Sequence, residues 1–244
     1  PWSGRLSTLE SKLKTLIITG ASKGIGFQVA KMAAEKSYRV INISRSDAAH
    51  ASIENHNIDL AAPDAANKFA LLVEELQIDG HITLIHNAAE LKSDSAANTA
   101  TADFRHTLEL NVVAPHILNQ ILIPKMTQGS GIIYVGSTLS EKAVANTYSY
   151  VVSKHALIGM MRSTCQDLAN TGIHTACVCP GFTDTEMLRA HVGEDAEIIE
   201  SLSSLSTFGR LVTPEEIANT IVFAAENPVI NGAVIHANLG QVER

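Results

Sequence analysis

The chain has 244 residues, 45% of them hydrophobic and 18% charged, with a formal net charge of −7. That apolar share excludes a disordered chain, and the length suits one large α/β domain spanning residues 1–244. An acidic chain without a basic block disfavours nucleic-acid binding, and no apolar run approaches the roughly 20 residues that span a bilayer.

Short β-branched runs alternate with longer helical patterns along the whole chain. Thr15–Thr19 reads as a buried strand, Gly24–Lys36 as a helix and Arg39–Ile43 as a second strand. A short strand near Ile58 precedes a helix from about Pro63 to Gln77, where Pro suits the first turn. Ile82–His86 is a strand, and Glu90–Ala100 a polar, Ala-rich loop. Asp103–Met126 reads as one long helix in which Pro115 and Pro124 mark kinks or ends. Gly131–Val135 is a strand. Asn146–Asn170 is a long helix stopped at Thr171-Gly172, and Ile173–Cys179 is the next strand. Thr213-Pro214-Glu215-Glu216 opens a helix with a capping Thr, Pro at the first position and acids in the first turn. Ala233–Ala237 is the last strand. This alternation predicts parallel βαβ units and a Rossmann-type doubly wound parallel sheet of about seven strands flanked by helices. Ligands of such sheets bind at the carboxyl ends of the strands.

The cysteines number three, and Cys177 and Cys179 would share one face of a strand, where core packing is their plain role. No Cys/His cluster has metal-ligand spacing, so no metal is expected. No leader-like apolar stretch follows Pro1-Trp2-Ser3-Gly4, and a soluble cytoplasmic protein is expected.

The first strand runs straight into Thr19-Gly20-Ala21-Ser22-Lys23-Gly24-Ile25-Gly26. Glycines let the chain turn sharply and approach a pyrophosphate, and the following helix presents free N–H groups to the anion. A P-loop is excluded because no Gly-Lys-Ser/Thr ends the turn. At the end of the second strand an acid would bind a ribose 2′-OH. Here Ser44-Arg45-Ser46 stands instead, and Arg45 with Lys23 favours the 2′-phosphate of NADP(H), with Asp47 as an opposing charge nearby.

Tyr150 and Lys154 stand at i, i+4 on one helical face. A phenol titrates near ~10, and a neighbouring ammonium favours its ionised form, which makes such a pair a usable general acid/base. Ser137 follows a strand, where its hydroxyl could hold a carbonyl oxygen beside Tyr150. Tyr148 is a rival phenol that lacks the lysine, because Val152 stands four residues on.

With these residues in place, the chain resembles the short-chain dehydrogenase/reductase family over nearly its whole length. The resemblance rests on Thr19–Gly26, Asn87-Ala88-Ala89, Asn111, Ser137, Tyr150-x-x-x-Lys154 and Pro180-Gly181-Phe182-Thr183-Asp184-Thr185. Phe208–Ala218 adds a likeness to 3-oxoacyl-thioester reductases and NADPH carbonyl reductases. It implies that Tyr150 protonates the carbonyl oxygen, that Lys154 assists it and holds the nicotinamide ribose, and that Ser137 orients the carbonyl. Asn111 would hold a water linking Lys154 to solvent. Asp59 and Leu60 would meet the adenine, and Asn87 and Ala88 would close the floor of the cofactor site. Pro180, Gly181, Thr183 and Thr185 would cover the nicotinamide. Two departures stand out: Ala89 where the family usually has Gly, and Asn238-Leu239-Gly240 where it usually has Asp-Gly-Gly.

Residues 186–211 mix apolar and acidic side chains and read as a substrate lid, with one amphipathic helix over Glu194–Leu205. Apolar residues on several sides of the helix Asn146–Asn170 suggest burial against a second subunit, and the resemblance implies a homodimer or homotetramer. The expected activity is NADP(H)-dependent reduction of a small-molecule carbonyl (ketone, aldehyde or 3-oxoacyl thioester). The alternatives are an NAD-dependent alcohol dehydrogenase of the same fold and a non-catalytic dinucleotide sensor, which would need only the cradle.

Overall fold

The computed structural model describes residues 14–193 and 195–242. The stretch Pro1-Trp2-Ser3-Gly4 and Glu194, the expected first residue of the lid helix, lie outside them. The strands are β1 (Thr15–Thr19), β2 (Arg39–Ser44), β3 (Ile53–Asn57), β4 (Ile82–His86), β5 (Gly131–Val135), β6 (His174–Pro180) and β7 (Ala233–Ala237). They form one seven-stranded sheet in the order β3-β2-β1-β4-β5-β6-β7, parallel throughout. The order reverses between β1 and β4, and a crevice opens there at the carboxyl ends of the strands.

Every residue of β1, β4, β5 and β6 is buried, because helices cover both faces of the sheet. On one face Ile17, Leu84 and Ile132 pack with Phe69 of α2 (Ala65–Glu75), Leu118 of α4 (Ala114–Leu122) and Met161 of α5 (Tyr148–Asp167). On the other, Leu16, Ile18, Ile85 and Val178 pack with Val29 of α1 (Gly24–Glu35) and Ile221 of α8 (Pro214–Glu226). Truncating one of these side chains to Ala would cost about 2–5 kcal/mol. Cys177 and Cys179 sit fully buried within the first of these clusters, their sulfurs 3.8 Å apart. Their mutual hydrogen bond and burial push the Cys177 thiol up.

Three expected elements differ. The strand near Ile58 is β3, which ends at Asn57; it is an edge strand with one residue fully buried, so its sequence Ile-Glu-Asn-His-Asn carries little apolar signal. The long helix over 103–126 is broken into α3 (Thr101–Leu108), a π-helical turn over Glu109–Val113, α4 and a 3-10 turn at Ile123–Lys125. Both prolines lie in the opening turn of a segment, and Pro115 has no N–H to offer the carbonyl of Asn111 one helical turn back. The lid region holds two helices, α6 (Glu186–Val192) and α7 (Ala196–Ser203), not one. Thr185 caps α6 by accepting from the Leu188 N–H, Asp195 caps α7 by accepting from the Glu197 N–H, and Gly193 turns between them at φ +81°.

Candidate active site

The turn after β1 is built for close approach. Gly20 has φ +72° and Gly24 φ +58°, values that favour glycine. A Cβ on Gly26 would stand 2.3 Å from the Gly20 carbonyl oxygen and 2.5 Å from Asn87 Nδ2, so only glycine fits there. Asn87 staples the turn from the next strand, donating from Nδ2 to the carbonyls of Thr19 (3.0 Å) and Gly20 (2.9 Å). Thr19 Oγ1 returns the contact by accepting the N–H groups of Asn87 (3.0 Å) and Ala88 (2.9 Å). Helix α1 starts at this turn with no side-chain cap and no acid in its first turn. Its first N–H groups and positive dipole end are therefore available to an anion.

Gly20, Ser22, Lys23, Gly24, Ile25, Gly26, Ser44, Arg45, Asp59, Leu60, Asn87 and Ala88 all line one cleft at the switch point, together with Ser46, Ala89 and Leu110. Arg45 and Lys23 are exposed there and carry no ion pair among the described residues, and Asp47 does not line the cleft. Ser44 lines it too, but its hydroxyl faces inward, accepting from Asn42 Nδ2 (3.1 Å) and donating to the Ser46 carbonyl. Asp59 accepts the N–H of Ala61 and so shapes the turn after β3. The donor set, the free helix end and the glycine whose Cβ has no room fit an extended dinucleotide.

A second cavity adjoins the first and shares Ile25, Asn87, Ala89, Thr185 and Met187 with it. Ser137, Tyr150, Lys154, Pro180, Gly181 and Thr183 line this one. Most of its remaining wall is apolar, from Leu91, Leu139, Val144, Phe182, Leu188 and Val192. Thr138, Thr147, His191 and Gln241 are its polar exceptions. Lys154 is 3% exposed, its ammonium 5.4 Å from the centroid of the Tyr150 ring and 2.7 Å from the Val135 carbonyl oxygen, to which it donates. Ser137 Oγ accepts the Leu139 N–H at 3.1 Å, which leaves its hydroxyl proton free for another acceptor. Tyr148 lines neither cavity and instead stacks on Phe104 of α3, 5.7 Å between centroids.

Asn111 stands apart from the other predicted residues: it lines neither cavity and is 1% exposed inside the π-helical turn. Its side-chain oxygen accepts the Glu90 N–H (2.9 Å), and its amide nitrogen donates to the Glu90 carbonyl (3.0 Å) and to Ser153 Oγ (3.0 Å). The amide is thus fully engaged in tying the loop after β4 to helix α5 beside Lys154. Glu90 and Ser153 escaped the sequence reading. Met187, Leu188 and Val192 are among the apolar residues of the expected lid segment, and His191 escaped the reading.

Two further features bear on the electrostatics. His86, at the end of β4, is buried and held near pKa 4 by that burial, against the hydrogen bond it donates to Asn119, which raises it. Its Nε2 lies 2.8 Å from Asn119 Oδ1, and Asn119 Nδ2 donates to Tyr134 Oη at 2.7 Å. Among the described residues, no group of three or more His, Cys, Asp and Glu is placed to hold a metal ion, and no helix is long and apolar enough to cross a membrane.

The geometry has counterparts among known proteins. The family described as enoyl-(acyl carrier protein) reductase matches residues 20–241. Carbonyl reductase family member 4 of Xenopus laevis is 30% identical over 230 residues, covering 91% of this chain and 95% of the relative. The 3-oxoacyl-(acyl-carrier-protein) reductase FabG of Rickettsia felis is 30% identical over 239 residues, covering 94% and 97%. The crystal structure of a short chain dehydrogenase from Burkholderia cenocepacia in complex with NADP superposes with a TM-score of 0.83 at 26% identity, covering 93% of this chain and 97% of that one.

Proposed function

This chain belongs to the short-chain dehydrogenase/reductase family of oxidoreductases, and from that premise we propose that it reduces the carbonyl group of a small molecule to an alcohol with NADP(H). The observation that carries the reading is the junction of the two cavities: Ser137, Tyr150 and Lys154 line the one that adjoins a cleft suited to a dinucleotide. Bound there, the nicotinamide supplies the hydride. Ser137 donates its free hydroxyl proton as a hydrogen bond to the carbonyl oxygen, and Tyr150 transfers its phenolic proton to that oxygen. Lys154 stabilises the phenolate this leaves. One of its protons is committed to Val135, so the others are free for Tyr150 and a ribose hydroxyl. The carbonyl of Asn111, which Pro115 cannot serve, holds the water that returns a proton towards Lys154. Pro180, Gly181, Thr183 and Thr185 would cover the nicotinamide, and the apolar wall would exclude water and accept a nonpolar carbonyl substrate.

Arg45 and Lys23 support NADP(H) over NAD(H): two unpaired cations flank the ribose end of the cleft, and no acid at positions 44–46 competes for a 2′-hydroxyl. We read residues 1–244 as one domain and 186–211 as its lid, and the protein as a homodimer or homotetramer. The test of the cofactor reading is turnover of one ketone with NADPH and with NADH. NADPH is expected to give a kcat/KM at least about tenfold higher, equivalent to about 1.4 kcal/mol. The Arg45→Ala variant is expected to erase most of that margin. Equal efficiency with the two cofactors would favour the NAD-dependent alternative.

A further inference from the structure

Asn42 is a polar residue in the middle of β2, within Val40-Ile41-Asn42-Ile43, and it is fully buried. An amide at such a place is costly unless its groups are bonded, and the bonds it makes lead out of the strand to two loops. Oδ1 accepts the N–H of Ala21, in the glycine-rich turn, at 2.9 Å. Nδ2 donates to Ser44 Oγ at 3.1 Å and to Asn55 Oδ1 at 2.9 Å. Asn55 stands opposite Asn42 in the register of β3. It holds Ala48 at both backbone groups, accepting its N–H at 2.8 Å and donating to its carbonyl at 3.2 Å. Ser44 Oγ completes the clamp by donating to the Ser46 carbonyl. The segment 44–48 is therefore fixed from beneath at Ser44, Ser46 and Ala48, while Arg45 between them stays exposed at the cleft. Neither Asn42 nor Asn55 lines the cleft.

We propose that the Asn42–Asn55 amide pair is a positioning pair that joins the glycine-rich turn to the Arg45 segment and sets selectivity at the 2′ position of the dinucleotide's ribose. This rests on reading Arg45 as the 2′-phosphate ligand. A guanidinium recognises a phosphate through a planar fork, so its contribution depends on the direction in which the backbone aims it. A buried amide network that satisfies all its partners holds one arrangement. An apolar residue at position 42 would serve the sheet equally well and leave Ala21 and the segment 44–48 uncoupled. The two amides also act unequally: Asn55 touches only the Arg45 side, whereas Asn42 touches both loops.

The experiment is isothermal titration of NADPH and of NADH into the wild type and the variants Asn55→Ala, Asn55→Thr, Asn42→Ala and Arg45→Ala, each checked by thermal unfolding. Asn55→Ala is expected to raise the NADPH Kd about tenfold while moving the NADH Kd by less than about twofold, the scale of the two partly buried hydrogen bonds lost at Ala48 and expressed at one ligand group. Asn55→Thr, which keeps a hydroxyl and suits a strand, is expected to fall between, and supplies the same ratio if the alanine variant does not fold. Asn42→Ala is expected to weaken both cofactors, because Ala21 is released as well. A merely structural role would lower the unfolding temperature and leave the ratio of the two Kd values where it was. A selective wild type whose ratio both Asn55 variants leave unmoved overturns this proposal alone. A wild-type ratio near unity that Arg45→Ala does not change overturns the 2′-phosphate reading and this proposal with it.

Discussion

At Ser137 the direction of one proton is decided by a neighbour: the hydroxyl oxygen already accepts from Leu139, so what it can offer a substrate oxygen is its hydrogen. Ser137→Ala is therefore expected to lower kcat about 10²-fold while leaving the NADPH Kd unchanged, as removal of a single oxyanion donor does elsewhere. Steady-state kinetics beside a binding titration check this, and an unchanged kcat would contradict it. A second prediction belongs to His86. Its folded pKa near 4 lies below the ordinary 6.5, so the folded state binds fewer protons than the unfolded chain between those values. Its contribution to stability is complete above pH 6.5 and is lost as the pH falls towards 4. His86→Gln, which can still donate to Asn119, is expected to flatten the fall in unfolding temperature over that window. An equally steep fall in the variant would show that other groups carry it. That Ser137, Tyr150 and Lys154 line one cavity was legible in the sequence, because Tyr150 and Lys154 share a helical face and Ser137 follows a strand. The side-chain partners of Asn111 were not, because Glu90 engages it through backbone groups that any residue has.

Among the elements, β1, β4, β5 and β7 match the sequence reading end to end; the apolar runs of the first three mark strands covered on both faces, while β7 is an edge strand whose residues are only partly covered. Edge strand β3 was displaced because its residues are polar and its stability comes from pairing with β2. The π-helical turn was hidden for another reason: proline forecasts a break in a helix and does not say which carbonyls are released. Gly26→Ala places a methyl group against Gly20 and Asn87, and is expected to weaken dinucleotide binding about tenfold or more. Calorimetry would show it, and wild-type affinity would contradict the cradle. Helix α8 offers a stability test. Thr213 Oγ1 accepts the Glu216 N–H, and Glu216 in turn accepts the Thr213 N–H, forming a capping box. Thr213→Ala is expected to cost about 1 kcal/mol in denaturant unfolding. Glu216 is held near pKa 2, chiefly by its hydrogen bond to Arg210, so its contribution is present above the ordinary 4.5 and is lost as the pH falls to 2.

For the whole molecule, parallel β-sheet topology brings residues from distant parts of the chain to one crevice, and the alternation of strands and helices was enough to foresee that. The shape of the second cavity was not foreseeable, because its wall comes from α6, the loops after β4, β5 and β6, and Gln241, whose meeting depends on packing. Helix α5 leaves Val151, Val152 and Met160 only partly covered within one chain, and Tyr148 at its start is 40% exposed. Light scattering at micromolar concentration is expected to give the mass of a dimer or tetramer, and a monomer would contradict the assembly proposed here. Carbonyl reduction in the joined cavities, with Tyr150 as the proposed acid, is tested by following NADPH oxidation with a panel of ketones, aldehydes and acetoacetyl thioesters, in the wild type and in Tyr150→Phe. Turnover of at least one substrate by the wild type, lost in the variant while NADPH still binds, is the predicted result. Saturable NADPH binding with no turnover across the panel, or turnover that survives in Tyr150→Phe, would contradict it.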